Sequence, residues 1–474
     1  MHMPGTSKGG LVFFVLVQII LLVLFAFFTD YDSKLLPNKG NATRDEPALV
    51  QKYPHFEDIH VMIFIGFGFL MTFLKKYGYS ATGFNLWVAA LVIQWAILMR
   101  GFFAMIHHGG HIGVSLDSMI GADIGSATVL ISMGALLGRI TPIQLLTMGL
   151  IEIVFFAGNE YLNVDLFRIT DVGGSITIHA FGAYFGLACS LVLRPSSANA
   201  VTGENEGASY TSDIFAMVGS VFLWIYWPSF NSILVDGDQQ ERAILHTYLS
   251  LAACTVTTFC MSALLSKEKK FDMVHVQNST LAGGVAVGSV CNLILHPWGA
   301  IMIGIISGVL SVVGYVYITP FLFSKLRLAD TCGVNNLHGM PAVLSAIFSA
   351  IYAASATKET YGNQLIDIFP AMKQVGNNTE ELEYVIGGYN RTSTQQGTYQ
   401  LIGIVVTICI AVAGGVISGL ILRSPLWNRL DHIDLHRDDV HWIIEEEEHE
   451  KKAHHNNTEL HERKAHDNLN FIDS

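Results

Sequence analysis

Two stretches of the chain share the spacing D-x-x-G-x-x-x-x-H, and each carries one aspartate and one histidine into a long apolar run. The first, "DVGGSITIH", contains Asp171 and His179, and the second, "DTCGVNNLH", contains Asp330 and His338. An ionisable side chain inside a membrane is costly, so it indicates a functional site by default. Two unrelated polar residues, each bonded to a neighbouring helix, are the alternative interpretation. The matched aspartates and glycines favour a shared function for the two stretches.

The elements that position these residues are those of a membrane protein. Of the 474 residues, 51% are hydrophobic and 14% are charged, whereas soluble proteins carry about 25% charged residues. A helical run of about 20 apolar residues can cross a hydrocarbon core of roughly 30 Å. The sequence therefore predicts an all-α polytopic membrane domain in residues 1–423, with about twelve transmembrane helices. The predicted spans lie near residues 10–28, 57–75, 82–103, 119–138, 141–161, 174–193, 213–235, 243–265, 274–295, 298–319, 334–353 and 399–422.

The places of the two motifs among these spans predict an inverted repeat. The first motif enters the sixth span and the second enters the eleventh, so the two helices run in opposite directions. We expect two inverted five-helix repeats, preceded by an extra N-terminal helix and followed by a final helix. Inverted repeats are common in transporters, where the binding site lies near the midplane between the repeats.

The first span could instead be a cleaved signal peptide. Its apolar core, "LVFFVLVQIILLVLFAFF", is longer than a typical signal-peptide core, and no A-x-A-like cleavage site follows it. These features favour a retained helix.

Orientation follows from glycosylation sequons and from basic residues. N-x-S/T sequons at Asn41, Asn377 and Asn390 fall in the two longest loops, which share one side when the number of spans is even. The short loops on the other side carry nine Lys and Arg, against three in the short loops on the side of the sequons. The two long loops add seven basic residues to the side of the sequons, which dilutes this bias. We expect a plasma-membrane protein whose two termini are cytoplasmic and whose three sequons are extracellular.

The remaining composition excludes several classes of protein. None of the six cysteines lies in a predicted outer loop, and no C-x-x-C pair exists, so neither a disulfide framework nor a metal site is expected. Residues 431–474 contain 13 Asp and Glu against 5 Lys and Arg. We expect residues 424–474 to form an acidic, His-rich cytoplasmic tail that is largely disordered. Docking of a cytoplasmic partner on this tail stays open, and the acidic balance gives no reason to expect nucleic acid.

Several multi-residue stretches resemble one known family. They include "SITIHAFGAYFGL", "FLWIYWPSFNS", "QNSTLAGGVAVG", "DTCGVNNLHG", "FEDIHVMIFIGFGFLMTFL" and "GFNLWVAALVIQWAIL". Together they resemble the Rh glycoproteins of the ammonium transporter superfamily over residues of about 10 to 427. The resemblance implies a homotrimer with one substrate pore through each protomer. It also implies eleven core helices in two inverted halves, with an extra N-terminal helix.

The resemblance extends to individual pore residues. It implies that His179 and His338 are the twin histidines of the pore, and that Asp171 supports its outer part. It further implies that Phe230 is one aromatic of the outer gate, that Asn231 follows it near the pore, and that Phe67 lines the pore.

One departure and four acids complete the expected site. The family usually has phenylalanine as its second gate aromatic, where this chain has Ile124, so the outer gate would be half aliphatic. Four further acids resemble residues of the family placed around the vestibules or the ends of spans: Asp123, Asp213, Asp272 and Asp330.

Such a pore suits a small neutral molecule. A charge at the bilayer centre costs at least about 2.5–3.5 kcal/mol, whereas neutral ammonia needs only one or two hydrogen bonds. We therefore expect facilitative transport, in which ammonium loses its proton outside the pore and ammonia passes His179 and His338. Asp171 would hold the start of its helix, and a simple N-cap role stays open.

Other functions remain to be weighed against this one. A carbon dioxide channel could use the same apolar pore, and a non-transporting scaffold could act through the acidic tail. The intact histidine pair argues against the scaffold. No activated nucleophile, H-E-x-x-H or C-x-x-C-H motif accompanies the histidines, so we expect neither an enzyme nor a cofactor.

Overall fold

The computed structural model describes residues 7–32, 35, 46–194, 205–373, 390–424, 426, 427 and 429–444. Within these residues, eleven helices are long and apolar enough to cross a membrane, which agrees with the polytopic all-α fold expected from the sequence. Two seven-residue helices, one pair of three-residue strands and four helical turns between residues 358 and 372 accompany them. The elements are α1 (Lys8–Phe28), β1 (Thr29–Tyr31), α2 (Lys52–Phe73), α3 (Gly78–Ile106), β2 (Ile112–Val114), α4 (Leu116–Ala135), α5 (Pro142–Leu166), α6 (Ser175–Leu193), α7 (Tyr210–Ser232), α8 (Gly237–Leu265), α9 (Met273–Ser279), α10 (Ala282–Gly288), α11 (Pro297–Leu326), α12 (Asn335–Ala354) and α13 (Ser393–Leu422).

The helix starts follow from local sequence. Four transmembrane helices begin with a capping box, in which a Ser or Thr hydroxyl accepts the N–H three residues on and the side chain there bonds back. This exchange satisfies backbone donors that the first helical turn cannot pair internally. The capping residues are Ser115 of α4, Thr141 of α5, Ser209 of α7 and Thr392 of α13.

The prediction of one continuous helix near 274–295 is wrong. The chain there forms α9 and α10, separated at Thr280 and Leu281. Glycines allow this segment to approach its neighbours closely, since a Cβ on Gly284 would lie 2.7 Å from Trp227 and one on Gly288 would lie 2.5 Å from the Ser175 hydroxyl. The hydropathy of the run predicted its burial, but not its interruption.

Close helix packing holds α6 between α4 and α13. A Cβ on Gly182 would lie 2.6 Å from the carbonyl of Thr128, and one on Gly186 would lie 2.7 Å from Cα of Ser132, both on α4. On the other side, a Cβ on Gly415 of α13 would lie 2.3 Å from the carbonyl of Phe185. Small residues let membrane helices approach in this way.

Residues 429–444, which we call the C-terminal segment, fold back onto the helix ends. The Asp438 carboxylate accepts the N–H groups of Tyr79 and Ser80, each at 2.8 Å, and so caps the first turn of α3. Trp442 donates to the Ser80 hydroxyl at 2.9 Å. The segment expected as tail therefore begins with a part that packs on the membrane domain. Residues 445–474 lie outside the described residues.

One histidine of the C-terminal segment is fully buried. His436 donates its backbone N–H to the carbonyl of Gly138, and its side chain is 0% exposed. Burial lowers the pKa of His436 to about 4, and the positive charge of Arg139 acts in the same direction. His436 is therefore neutral at physiological pH.

Candidate functional site

The two motif histidines meet at the centre of the helix bundle. His179 and His338 are 2% and 4% exposed, and their Nδ1 atoms lie 3.1 Å apart. The planes of the two rings differ by 7°, and the ring centroids lie 5.2 Å apart. Because one Nδ1 must donate and the other accept, the Nε2 atoms become one acceptor and one donor. The pair can thus offer both kinds of hydrogen bond to a small molecule.

The same local geometry brings each histidine to this point. Three residues after each motif aspartate stands a glycine with positive φ, Gly174 at 66° and Gly333 at 72°. A π-helical turn follows each glycine, and each histidine lies in that turn. Positive φ costs a glycine little and a residue with a Cβ much more. The repeated spacing in the sequence therefore corresponds to a repeated backbone structure.

Each motif aspartate holds its own loop. Asp171 accepts the N–H of Ile176 at 3.2 Å, the N–H of Thr177 at 2.8 Å and the Thr177 hydroxyl at 2.9 Å. The Ser289 hydroxyl, from the chain that follows α10, also donates to Asp171. These bonds occupy both carboxylate oxygens, which matches a role in holding the helix start.

Asp330 does the same for the second histidine. Its two oxygens accept the N–H groups of Val334 at 2.8 Å and Asn335 at 3.0 Å. The aspartate thus caps the start of α12, and it directs its oxygens at backbone rather than at the histidine pair.

Aromatic side chains enclose the histidine pair. The ring centroids of Trp227 and Phe230 lie 5.7 Å and 5.8 Å from that of His179, and Phe67 lies 6.4 Å from His338. The structure therefore places Phe67 and Phe230 beside the two histidines. Sequence reasoning did not single out Trp227. The sequence feature that could have identified Trp227 is its i, i+3 spacing to Phe230, which puts both rings on one face of α7.

A small cavity lies on the Asp330 side of the histidines. Its walls are almost entirely apolar, and His338 reaches into it. Phe67 and Met71 contribute from α2, and Ile131 contributes from α4. Ile124 precedes Ile131 by seven residues, which places it on the same face of α4, two turns toward the predicted outer side. Ile124 is 3% exposed.

A hydrogen bond between His60 and Asp123 links α2 and α4 beside Ile124. His60 Nδ1 lies 2.9 Å from a carboxylate oxygen of Asp123, whose side chain is 2% exposed while that of His60 is 44% exposed. The His60 ring packs against Phe64 of the same helix, with 4.6 Å between the ring centroids. Sequence reasoning did not single out His60. The one indication in the sequence was Phe64, four residues further along the same predicted span.

Other expected residues lie away from the histidine pair. Asn231 donates to the Thr247 hydroxyl and to the Gly284 carbonyl, both at 3.0 Å, and joins α7 to α8 and α10. Asp213 accepts from the Gln277 amide at 2.9 Å, and Asp272 caps α9. Asn390 is exposed. Asn41 and Asn377 lie outside the described residues.

Comparison with known sequences identifies extensive similarity. The profile of the Ammonium Transporter Family matches residues 15–434. Ammonium transporter Rh type B-A of Xenopus laevis is 46% identical over 441 residues, which cover 91% of this chain and 92% of that protein. Ammonium transporter Rh type C of Homo sapiens is 44% identical over 442 residues, which cover 91% of this chain and 89% of that protein.

Solved structures show the same fold. The Rh50 protein of Nitrosomonas europaea superposes with a TM-score of 0.69 at 36% identity, covering 88% of this chain and 99% of that one. Mep2 of Saccharomyces cerevisiae superposes with a TM-score of 0.61 at 17% identity, covering 79% of this chain and 84% of that one. At the lower identity, the likeness concerns the fold alone.

Proposed function

This chain belongs to the ammonium transporter family, and from that premise we propose that ammonia crosses the membrane past its His179–His338 pair. The observation that carries the proposal is the 3.1 Å contact between two buried imidazoles in an aromatic and aliphatic enclosure. A buried histidine pair is costly to retain in a membrane protein without a use.

The pair has the chemistry that neutral ammonia needs. One Nε2 accepts a hydrogen bond from ammonia, and the other donates one to its lone pair. An ammonium ion has only donors, and it would lose its hydration in walls formed by Phe67, Ile131 and Leu337. Selection for ammonia over ammonium therefore follows from desolvation, and selection over apolar molecules follows from the two hydrogen bonds.

We expect ammonium to release its proton to bulk water at the outer end of the path, so that only ammonia enters the pore. At that outer end, Asp123 lies 2.9 Å from His60, and Phe230 packs against His179 with 5.8 Å between the ring centroids. Ile124 replaces an aromatic ring at this level, so the gate consists of one ring and one aliphatic side chain. We expect the bulk and shape of Ile124 to affect the size of the opening more than the chemistry of the pair.

The assembly and placement follow the family resemblance. We propose a homotrimer in the plasma membrane with one path through each protomer and with both termini cytoplasmic. Asn41, Asn377 and Asn390 would then carry extracellular glycans. A partner that binds the acidic tail is compatible with transport by the membrane domain.

Stopped-flow measurement in proteoliposomes tests the transported species. Internal pH is followed after an ammonium jump and, separately, after a carbon dioxide jump, in vesicles with and without the protein. The proposal predicts faster alkalinisation after the ammonium jump than in empty vesicles. Acceleration of the carbon dioxide response alone would identify a carbon dioxide channel. Equal rates in both experiments would leave the scaffold as the better account.

A further inference from the structure

Six cationic side chains surround two adjoining cavities at the ends of α6, α11 and α13, on the side predicted to be cytoplasmic. The first cavity, of about 240 Å³, lies between the α4–α5 turn, the end of α6 and the C-terminal segment. The second, of about 540 Å³, opens between the ends of α6, α11 and α13. Arg194 and Arg423 line both cavities. The cations, which together we call the basic cleft, are Arg139, Arg194, Lys325, Arg327, Arg423 and Arg429.

Helix capping explains part of this arrangement. Arg194, Arg327 and Arg423 each stand directly after the last residue of a transmembrane helix. A cation there is stabilised by the negative end of the helix dipole. Arg194 also donates through Nη1 to the carbonyl of Leu326 at 2.8 Å. A guanidinium has five N–H donors, so one such bond leaves most of its donors for another acceptor.

The charge of the basic cleft exceeds what capping requires. Within the part of the chain that the structure describes, Asp431 is the one carboxylate that lines the two cavities, and Glu206 acts on Arg139 from outside them. Three helix C-termini contribute roughly half a negative charge each. These negative charges leave a clear positive excess among the six cations. The cleft is therefore suited to an anion that carries more than one negative charge.

The second cavity also has an apolar wall. Leu191 lines it, and Leu326 and Leu420 line it while remaining 47% and 57% exposed. These side chains belong to the last turns of three membrane helices, where exposed leucines face acyl chains. A molecule that fits both parts has a multiply charged phosphate group and a hydrocarbon portion. Basic pockets between transmembrane helices on the cytoplasmic side commonly bind such headgroups.

We propose that the basic cleft binds the headgroup of an anionic phospholipid of the inner leaflet, with its acyl chains against Leu326 and Leu420. The headgroup phosphates lie between Arg194 and Arg423, and Arg429 closes the site from the C-terminal segment. Bound lipid then joins the C-terminal segment to the ends of α6 and α13. This binding is separate from transport and does not depend on the substrate of the pore.

Native mass spectrometry of the full-length protein tests the proposal. The protein is titrated with short-chain phosphatidylinositol bisphosphate, with phosphatidylcholine of the same chain length, and with soluble inositol trisphosphate. We expect Arg194→Gln/Arg423→Gln to weaken binding of the anionic lipid roughly 30-fold, from the usual attraction of two basic side chains near an anionic surface. Lys267→Gln/Lys269→Gln, which removes two exposed cations from the loop after α8, serves as the matched control.

A second variant separates binding from folding. Lys325→Gln/Arg429→Gln alters two exposed side chains of the cleft and spares the hydrogen bond to Leu326. The proposal requires that both cleft variants bind the anionic lipid less than the control does. Equal binding by all variants, or equal binding of phosphatidylcholine, would overturn it. Binding of inositol trisphosphate as tight as that of the lipid would overturn the assignment of the apolar wall and indicate a soluble phosphate ligand.

Discussion

Replacement of Asp171 by asparagine tests how far the first histidine-bearing loop depends on one carboxylate. The two carboxylate oxygens together accept two backbone N–H groups and two hydroxyl groups, from Ile176, Thr177 and Ser289. Asparagine offers one accepting oxygen, and its NH2 group can only donate. In either orientation of the amide, the asparagine NH2 group faces one backbone N–H, which is left without an acceptor. The Ser or Thr hydroxyl on the same side can rotate and accept from the NH2 group instead.

The expected loss follows from these bonds. A backbone N–H left without an acceptor costs about 1–3 kcal/mol, and bonds to a charged acceptor are worth about 1 kcal/mol more than neutral ones. For the whole loop, Asp171→Asn should therefore lower stability by about 3–5 kcal/mol. Asp213→Asn is the matched control, because Asp213 is only partly buried and accepts one side-chain bond, from Gln277. We expect that substitution to cost about 1 kcal/mol or less.

Thermal unfolding in a single detergent, followed by tryptophan fluorescence, measures the difference. The midpoint should fall by several degrees for Asp171→Asn and hardly change for Asp213→Asn. Ammonia flux should fall with Asp171→Asn even below the unfolding transition, because the π-turn that carries His179 loses its support. Equal midpoints for the two variants would refute the reasoning. So would full flux through a destabilised Asp171→Asn protein.

Three further perturbations probe other parts of the account. Gly284→Ala places a Cβ 2.7 Å from Trp227, and we expect overpacking of about 1–3 kcal/mol and slower ammonia flux in assembled protein. His60→Ala removes the partner of buried Asp123; it should lower the unfolding midpoint, corresponding to about 1–3 kcal/mol, and an unchanged midpoint would contradict the pairing. The folded pKa of His436, about 4, lies below its unfolded value of 6.5, so the stability that neutral His436 contributes is complete above pH 6.5 and is lost as pH falls toward 4. At pH 5 the C-terminal segment should lose about 2 kcal/mol of protection in hydrogen exchange. Protection at pH 5 equal to that at pH 7.5 would show that His436 does not hold the segment.

The sequence predicted the membrane fold because hydrophobic length is read directly from the chain. It also predicted that His179 and His338 would lie near one another, since two copies of a motif that are an odd number of spans apart lie on helices of opposite direction, as in an inverted repeat. The positive φ at Gly174 and Gly333 explains why the spacing itself recurs. These inferences depend on periodicity and local geometry, which a single sequence carries.

The missed features depend on contacts between distant segments. The break between α9 and α10 lies at Thr280 and Leu281. Beyond it, Gly284 packs against Trp227 of α7, and hydropathy does not record such an approach. The pairing of His60 with Asp123 joins residues 63 positions apart. The docking of the C-terminal segment through Asp438 joins it to residues more than 350 positions away, within a stretch whose composition resembles a solvated tail.

The most direct measurement is ammonia flux through protein that lacks the histidine pair. His179→Ala/His338→Ala and the wild type are reconstituted at equal density, together with His296→Ala, which alters an exposed histidine. Size-exclusion chromatography first establishes that all three assemble alike. The account predicts rapid alkalinisation after an ammonium jump in the wild type and in His296→Ala, and the rate of empty vesicles in the double variant. Wild-type flux through the double variant would contradict a path past the paired imidazoles.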